Sequence, residues 1–121
     1  MERCAELDEL ERFFGSVAEF ESGSRDHWFY DRLSFRRSSP TGQVVCVIEP
    51  GDGDFAVECS KAGTAIVSVK LHEVVSLDIE SSGSQLVLIG HTRSGQLEQL
   101  FKLRLEPDFS FSLATSLPSE L

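Results

Sequence analysis

The spacing of apolar residues changes once along this chain, from the period of an α-helix to that of a β-strand, and this change limits the possible folds. Between residues 4 and 20 apolar side chains recur every three or four positions, which predicts one amphipathic helix. The helical positions are Leu7, Leu10, Phe13, Phe14, Val17 and Phe20. From residue 28 onward the apolar spacing is two, which is typical of strands that bury one face. The sequence therefore predicts one N-terminal helix followed by a sheet.

Turn residues divide the second region into about seven or eight short strands. The separating segments, rich in Gly, Ser, Pro and Asp, lie at residues 50–53, 61–64, 81–84, 93–95 and 107–108. Connections this short join antiparallel neighbours, because a parallel crossover needs roughly a dozen residues or more. We predict an α+β fold in which the N-terminal helix packs on a mainly antiparallel meander. A sheet curled onto itself is the alternative architecture.

The chain length predicts a single domain. With 121 residues, the chain is close to the commonest domain size and has room for one core. We place the helix at about residues 4–20, the antiparallel sheet at about residues 28–114 and a loose tail at residues 115–121. Cys4, Cys46 and Cys59 are an odd number without metal-ligand spacing, and the last two fall in apolar strand segments. We predict reduced thiols, with Cys46 and Cys59 in the core.

The charge of the chain narrows the class of partner. The formal net charge is -9 at pH 7, and thirteen acidic residues against six basic ones lie in the first sixty positions. Such a field repels nucleic acid and anionic lipid surfaces and attracts a basic partner. The sequence shows neither a signal-peptide pattern nor an apolar run of the roughly 18 residues that a membrane span needs. We therefore expect a cytoplasmic protein without nucleic-acid or membrane partners.

The sequence contains no motif typical of catalysis or of metal and cofactor binding. His27, His72 and His91 fall in different segments, at spacings unlike those of metal sites. Asp52-Gly53-Asp54 begins like a calcium loop but lacks the later ligands, so a hairpin turn explains it better. Phosphate-binding glycine loops and the G-x-S-x-G motif are absent from the sequence. We predict no catalytic, cofactor-binding or metal-binding residues, and a protein that is not an enzyme.

One aromatic segment has the composition of a contact surface. It contains the only Trp and the only Tyr of the chain, Trp28 and Tyr30, on either side of Phe29. Aromatic residues beside polar ones are common in interface hot spots, which makes Trp28 and Tyr30 candidate partner-binding residues. The alternative is that Trp28 and Phe29 anchor the first strand to the helix, because a chain this short needs large aromatic residues in its core.

The second half of the chain resembles one group of proteins. The resemblance lies in Val69, Leu71, Val74 and Val75 leading into Leu77-Asp78-Ile79, a turn at Gly83, the run Leu86-Val87-Leu88-Ile89, and Phe101, Phe109 and Phe111. This pattern resembles the small β-rich immunity proteins of bacterial polymorphic toxin systems, of the contact-dependent inhibition or Rhs type. Some of those families carry an aromatic-His-Asp segment before the first strand, where this chain has Phe29-Tyr30-Asp31.

The resemblance implies a cytoplasmic protein that binds one cognate toxin domain and neutralises it without catalysis. Such proteins often cover the active site of a basic nuclease with acidic side chains, and opposite charges steer the association. The implied contact residues are Glu49, Asp52 and Asp54 at a hairpin tip, and Glu6, Glu9 and Glu19 on the helix. The alternatives are an acidic chaperone of a secreted effector and a small-ligand-binding β domain. The sequence leaves the oligomeric state open.

Overall fold

Ten strands, one α-helix and one 3-10 turn make up the part of the chain that the computed structural model describes, residues 1–40 and 42–116. In chain order they are β1 (Arg3–Cys4), α1 (Leu7–Phe14), β2 (Glu19–Phe20), the 3-10 turn (Trp28–Tyr30), β3 (Leu33–Ser39), β4 (Gly42–Glu49), β5 (Asp54–Lys61), β6 (Thr64–Leu71), β7 (Val74–Ser82), β8 (Gln85–Ser94), β9 (Leu97–Arg104) and β10 (Ser110–Ser116). Within these ranges, no helix has the length and apolar character that a membrane crossing requires.

The strands form two five-stranded sheets. Sheet I has the order β2-β3-β4-β5-β6, and sheet II has the order β1-β7-β8-β9-β10. The predicted α+β class is confirmed, and the eight predicted strands correspond to β3 through β10. Consecutive strands form an antiparallel meander within each sheet, and the short link between β6 and β7 carries the chain from one sheet into the other. Each sheet buries one face against the other. Buried and exposed residues therefore alternate along each strand, as they would in a single sheet.

One strand pair is parallel, unlike the antiparallel arrangement predicted for neighbours. In the β1–β7 pair, Arg3 lies beside Ser76 and Cys4 lies beside Leu77. Short turns dictate antiparallel pairing only for strands that follow each other in the chain. β1 and β7 are separated by all of sheet I, so their direction is free of that constraint.

The helix is shorter than residues 4–20 and ends at Phe14. Its end is set by Gly15, which has a φ of 67° and donates its N–H to the Glu11 carbonyl at 2.9 Å. This left-handed conformation at a helix end suits glycine, which has no β-carbon to clash. The predicted helical position Val17 is 72% exposed beyond this stop, and Phe20 belongs to β2. The predicted helix was too long at both ends, because apolar residues happen to continue at spacings of three and four outside the helix.

Helix and sheets share one buried core. The predicted positions Leu7, Leu10, Phe13 and Phe14 are buried, and α1 contacts β3 of sheet I and β7 and β8 of sheet II. The Phe14 ring stacks on Phe35 with centroids 4.6 Å apart. Stacked aromatic rings of this kind add to the free energy gained by burying their area. The helix therefore closes the space between the sheets near β1 and β2.

The two predicted core cysteines are buried. Cys46 lies in β4 with no exposed surface, and Cys59 lies in β5 with 7% exposed. Burial raises the pKa of the Cys46 thiol well above its ordinary value, because the charged thiolate is poorly solvated there. Both residues therefore pack as small apolar side chains. The predicted loose tail begins too early, since Thr115 lies in β10, and residues 117–121 are outside the described residues.

The carboxylate of Glu11 ties the helix to the segment that follows it. Glu11 accepts hydrogen bonds from both terminal nitrogens of Arg25 at 2.8 and 3.0 Å and from the Ala18 N–H at 2.8 Å. The bonds from Arg25 come first among the causes that lower the pKa of Glu11, and the Ala18 bond adds to them. The side chain of Glu11 is 17% exposed but that of Arg25 is 51% exposed, so solvent partly screens the ion pair.

Replacing Glu11 by Gln is expected to reduce the free energy of unfolding by about 1 kcal/mol at neutral pH, because a charge-assisted bond that solvent partly screens is lost. The folded pKa lies below the unfolded one, so the contribution is complete above the unfolded pKa of about 4.3 and disappears as pH falls through the folded pKa. Urea unfolding of both proteins between about pH 7 and pH 3 should show the difference shrinking with acidity. A difference independent of pH would show that the Glu11 charge contributes nothing.

Candidate functional site

The outer face of sheet I is the side turned away from the core. It consists of the side chains that alternate with the buried ones, namely Glu19, Ser34, Arg36, Val45, Val47, Ala56, Glu58, Ser68 and Lys70. The small or apolar side chains of Val45, Val47 and Ala56 occupy its middle, and charged side chains surround them. A depression of about 310 Å³ lies there. An apolar floor with a polar rim is the usual anatomy of a protein interface.

The depression runs toward the tip of the β4–β5 hairpin, which three separate parts of the chain hold in place. The Gly51 N–H donates to the Phe29 carbonyl at 2.8 Å, the Val74 N–H donates to the Gly53 carbonyl at 2.9 Å, and the Met1 amino group donates to the Pro50 carbonyl at 2.7 Å. Main-chain bonds to three elements fix the tip relative to the core. The tip is therefore held in place before a partner binds. This favours binding, because little conformational entropy is lost when the complex forms.

The tip gathers the three acids that the sequence singled out there. Carboxylate oxygens of Glu49, Asp52 and Asp54 all lie within 4.8 Å of one another. Glu49 and Asp54 are paired residues at the ends of β4 and β5, and Asp52 projects from the turn between them. The Nδ1 atom of His72 lies 2.8 Å from an Asp54 oxygen. The result is a compact negative charge beside the apolar floor.

Further charged residues extend this negative region. A second depression of about 180 Å³ next to the tip is lined by Glu21, Asp31 and Arg32 together with Glu49 and Asp52. The Ser22 hydroxyl donates a hydrogen bond to Asp31, which lowers the pKa of that carboxyl, and the Arg32 N–H reinforces the effect. Asp31 therefore stays ionised into mildly acidic solution. Around the tip, acids outnumber bases.

The aromatic segment divides between the core and the surface. It forms the 3-10 turn, not the first sheet strand, and its main chain is bonded to Gly51 of the hairpin tip. Trp28 is half-buried and packs against the core, so the anchoring interpretation applies to it. Tyr30 is 82% exposed and lines the depression beside the tip. The structure thus places Tyr30 with the three acids and turns Trp28 inward.

The other predicted acids have separate locations. Glu6 and Glu9 lie at the start of α1, where a Glu9 carboxylate oxygen accepts the Glu6 N–H at 3.0 Å. That bond satisfies an N–H that the helix leaves unpaired, so a structural role explains this pair. Glu19 is not helical but lies in β2, on the outer face of sheet I, 3.4 Å from the Nε atom of Arg36. Only Glu19 of these three joins the candidate face.

Several residues of the face were missed from sequence. The floor residues Val45 and Val47 belong to an unbroken apolar run from Val44 to Ile48, and such a run signals a strand that is apolar on both faces. This signal was available and indicated a second apolar surface. By contrast, Arg32 and His72 lie far apart in the chain, and only the fold brings them to the hairpin tip.

Neither metal binding nor catalysis is indicated by the described geometry. The three carboxylates at the tip are close enough to share a metal ion, but exposed acidic groups are common without one. Ser76 Oγ lies 3.1 Å from His91 Nδ1, which is the distance of a nucleophile–base pair. Within residues 1–40 and 42–116, no acid bonds to His91 as the third member of such a triad does. Among the described residues, the candidate face offers an apolar floor and a charged rim.

Comparison with known proteins gives one full-length match in fold. No protein-family model matches the sequence, and no curated protein is significantly similar to it. A chain of the solved structure described as "Contact-dependent growth inhibition toxin - immunity protein complex from Klebsiella pneumoniae 342" matches with a TM-score of 0.80 and 16% sequence identity. The match covers 95% of this chain and 97% of that chain. The resemblance to immunity proteins of contact-dependent inhibition systems is thereby confirmed at the level of the fold.

Proposed function

We propose that this protein is an immunity protein, which binds a cognate toxin domain in the cytoplasm and neutralises it by covering its surface. The observation that carries the proposal is the fold, shared over nearly the whole length with a chain from a toxin–immunity complex. The net charge of -9 supports a basic toxin as the partner, because opposite charges accelerate encounter and select against wrong partners.

The proposed contact surface is the outer face of sheet I together with the hairpin tip. Its residues would be Glu49, Asp52, Asp54, Tyr30 and Glu19, around the floor formed by Val45, Val47 and Ala56. The exposed Tyr30 supplies an aromatic anchor, and the acids beside it supply charge complementarity. Neutralisation by coverage requires no chemistry, so the protein acts stoichiometrically and not as an enzyme.

Capture followed by a toxicity assay tests this proposal. The tagged protein is used as bait in its native host, and each bound chain is identified by mass spectrometry and expressed alone and together with this protein. We expect one basic chain that stops growth when expressed alone and is harmless when co-expressed. Titration of the purified pair should show inhibition complete at about one equivalent, as for a stoichiometric inhibitor.

Two outcomes would contradict the proposal. Capture of a non-toxic secreted protein would favour a chaperone of an effector. Inhibition of the toxin by far less than one equivalent would indicate that this protein inactivates it catalytically. A useful control is the same assay with the toxin of the Klebsiella complex, since a fold shared at 16% identity predicts no protection across such different pairs.

A further inference from the structure

The two long edge strands of the sheets are unpaired within the described residues. β6 forms one edge of sheet I and β10 one edge of sheet II, whereas the opposite edges are the two-residue strands β1 and β2. A long edge exposes main-chain N–H and C=O groups, which proteins usually protect with Lys, Pro or a covering element. From Thr64 to Val69, β6 contains neither a charged residue nor a proline, and the bulge at Ile66 is the one protective feature in this stretch. It is an open site for pairing with another strand.

A cleft lies beside the first half of β6 and distinguishes this edge from β10. It has a volume of about 630 Å³ and lies between sheet I and the link from β9 to β10. Its lining is mixed, with an apolar part that includes Val44, Cys59, Ile66, Val67 and Phe109 and a charged part formed by Arg37, Lys61, Glu106 and Asp108. Ile66 is the extra residue of a bulge, because Cys59 pairs with Val67 and Ser60 pairs with Ala65. The Ile66 side chain is 55% exposed at the mouth of the cleft.

The geometry of an added strand specifies the chemistry of the segment that would fit. Its side chains would alternate, with those on one side entering the apolar part of the cleft and those on the other lying on the outer face of sheet I. On that face Ser68 is short and pairs with Glu58 of β5. An added strand would lie two strand spacings, about 10 Å, from β5. A Lys or Arg side chain of the added strand and the Glu58 side chain of β5 are together long enough to span that distance. An apolar segment with outward basic residues fits best.

We infer that β6 binds an extended, amphipathic segment of the toxin domain by strand addition, with apolar side chains in the cleft and a basic side chain opposite Ser68. The inference rests on the proposed function and extends its contact surface from the outer face of sheet I to the β6 edge. A second copy of this chain fits less well, since two molecules of net charge -9 repel each other, whereas a basic partner is attracted.

The test compares Ile66→Lys with Leu113→Lys, using the purified toxin domain recovered by the capture experiment. Both side chains are exposed on long edges, 55% on β6 and 44% on β10, so the substitutions are matched in chemistry and both proteins should fold. We expect Ile66→Lys to weaken binding by about tenfold and Leu113→Lys by less than about twofold. Amide hydrogen exchange of the unsubstituted protein should show toxin-induced protection in β6 and none in β10.

Equal effects of the two substitutions, or absence of toxin-induced protection in β6, would overturn the inference while leaving the immunity function intact, provided that the toxin is still bound and neutralised. A dimer of the free protein that Ile66→Lys dissociates would also overturn it, in favour of a second copy as the occupant. If no toxic chain is captured at all, the proposed function fails and this inference fails with it.

Discussion

Replacing Glu49, Asp52 and Asp54 together by Gln, Asn and Asn is expected to weaken binding of the cognate toxin by about a hundredfold at low salt. The three carboxylates lie within 4.8 Å of one another on a rigid hairpin tip, so a basic partner meets their combined charge without having to order them. Their mutual repulsion in the free protein is relieved by the change, so folding stability should be kept or increased. Calorimetric titration at two salt concentrations would measure the loss and its salt dependence.

A matched control distinguishes direct contact of the toxin with the hairpin tip from the effect of the protein's net charge. The variant Asp8→Asn, Asp26→Asn and Glu80→Gln removes the same number of negative charges from exposed positions that line neither the depressions at the tip nor the cleft beside β6. It should slow association slightly and leave the dissociation rate unchanged, because distant charges act through steering. If both triple variants lose affinity equally, the tip is not a contact and only the net charge matters.

Gly90→Ala is expected to cause the largest loss of stability, about 3 kcal/mol in the free energy of unfolding. Gly90 pairs with Phe101 across β8 and β9, and a β-carbon at Gly90 would lie 2.1 Å from the Phe101 Cζ atom. The Phe101 ring is fully buried and lies 4.8 Å from the Phe55 ring, so it has nowhere to move. Urea unfolding of both proteins measures the effect.

A double-mutant cycle checks the cause of that loss. If the clash with the ring is responsible, Gly90→Ala should cost much less in a Phe101→Leu background than in the unsubstituted protein. Costs that are simply additive would show that the added methyl group acts elsewhere, for example on strand twist. Toxin binding by Gly90→Ala below its unfolding temperature should be unchanged, since this site lies within the core.

The local elements of this fold follow closely from the sequence, because each depends on nearby residues. The four buried positions of α1 and the eight long strands were all predicted from period and turn chemistry. The ends of α1 were not, because the apolar spacing continues past Gly15 to Val17 and Phe20. A glycine at this position can end a helix or be tolerated inside it, and only the observed φ of 67° distinguishes the two.

The alternation of apolar residues along the strands did not predict how the two sheets are arranged. Alternation states that one face of a strand is buried but does not state what buries it, so one curled sheet and two facing sheets give the same sequence signal. The two-residue strand β1 was missed for a different reason. Arg3 and Cys4 have no period of their own, and their pairing with β7 joins residues that are far apart in the chain.

The candidate face was predicted in part. Glu49, Asp52 and Asp54 come together because a hairpin of recognisable composition joins them, which is local information. Tyr30 reaches the same tip through the bond between Phe29 and Gly51, a contact that no spacing in the sequence indicates. The assignment of Glu19 to a helix face was wrong, yet its strand places it on the outer face of sheet I.

The order of strands in the sheets also bears on how the chain acquires its structure during synthesis. Strands β2 through β6 are consecutive in sheet I, as are β7 through β10 in sheet II, so most pairing closes only short loops. The exception is the N-terminal segment, in which Arg3 and Cys4 pair with Ser76 and Leu77. Arg3 and Cys4 therefore find their partners late, because β7 has to be translated before β1 can join its sheet.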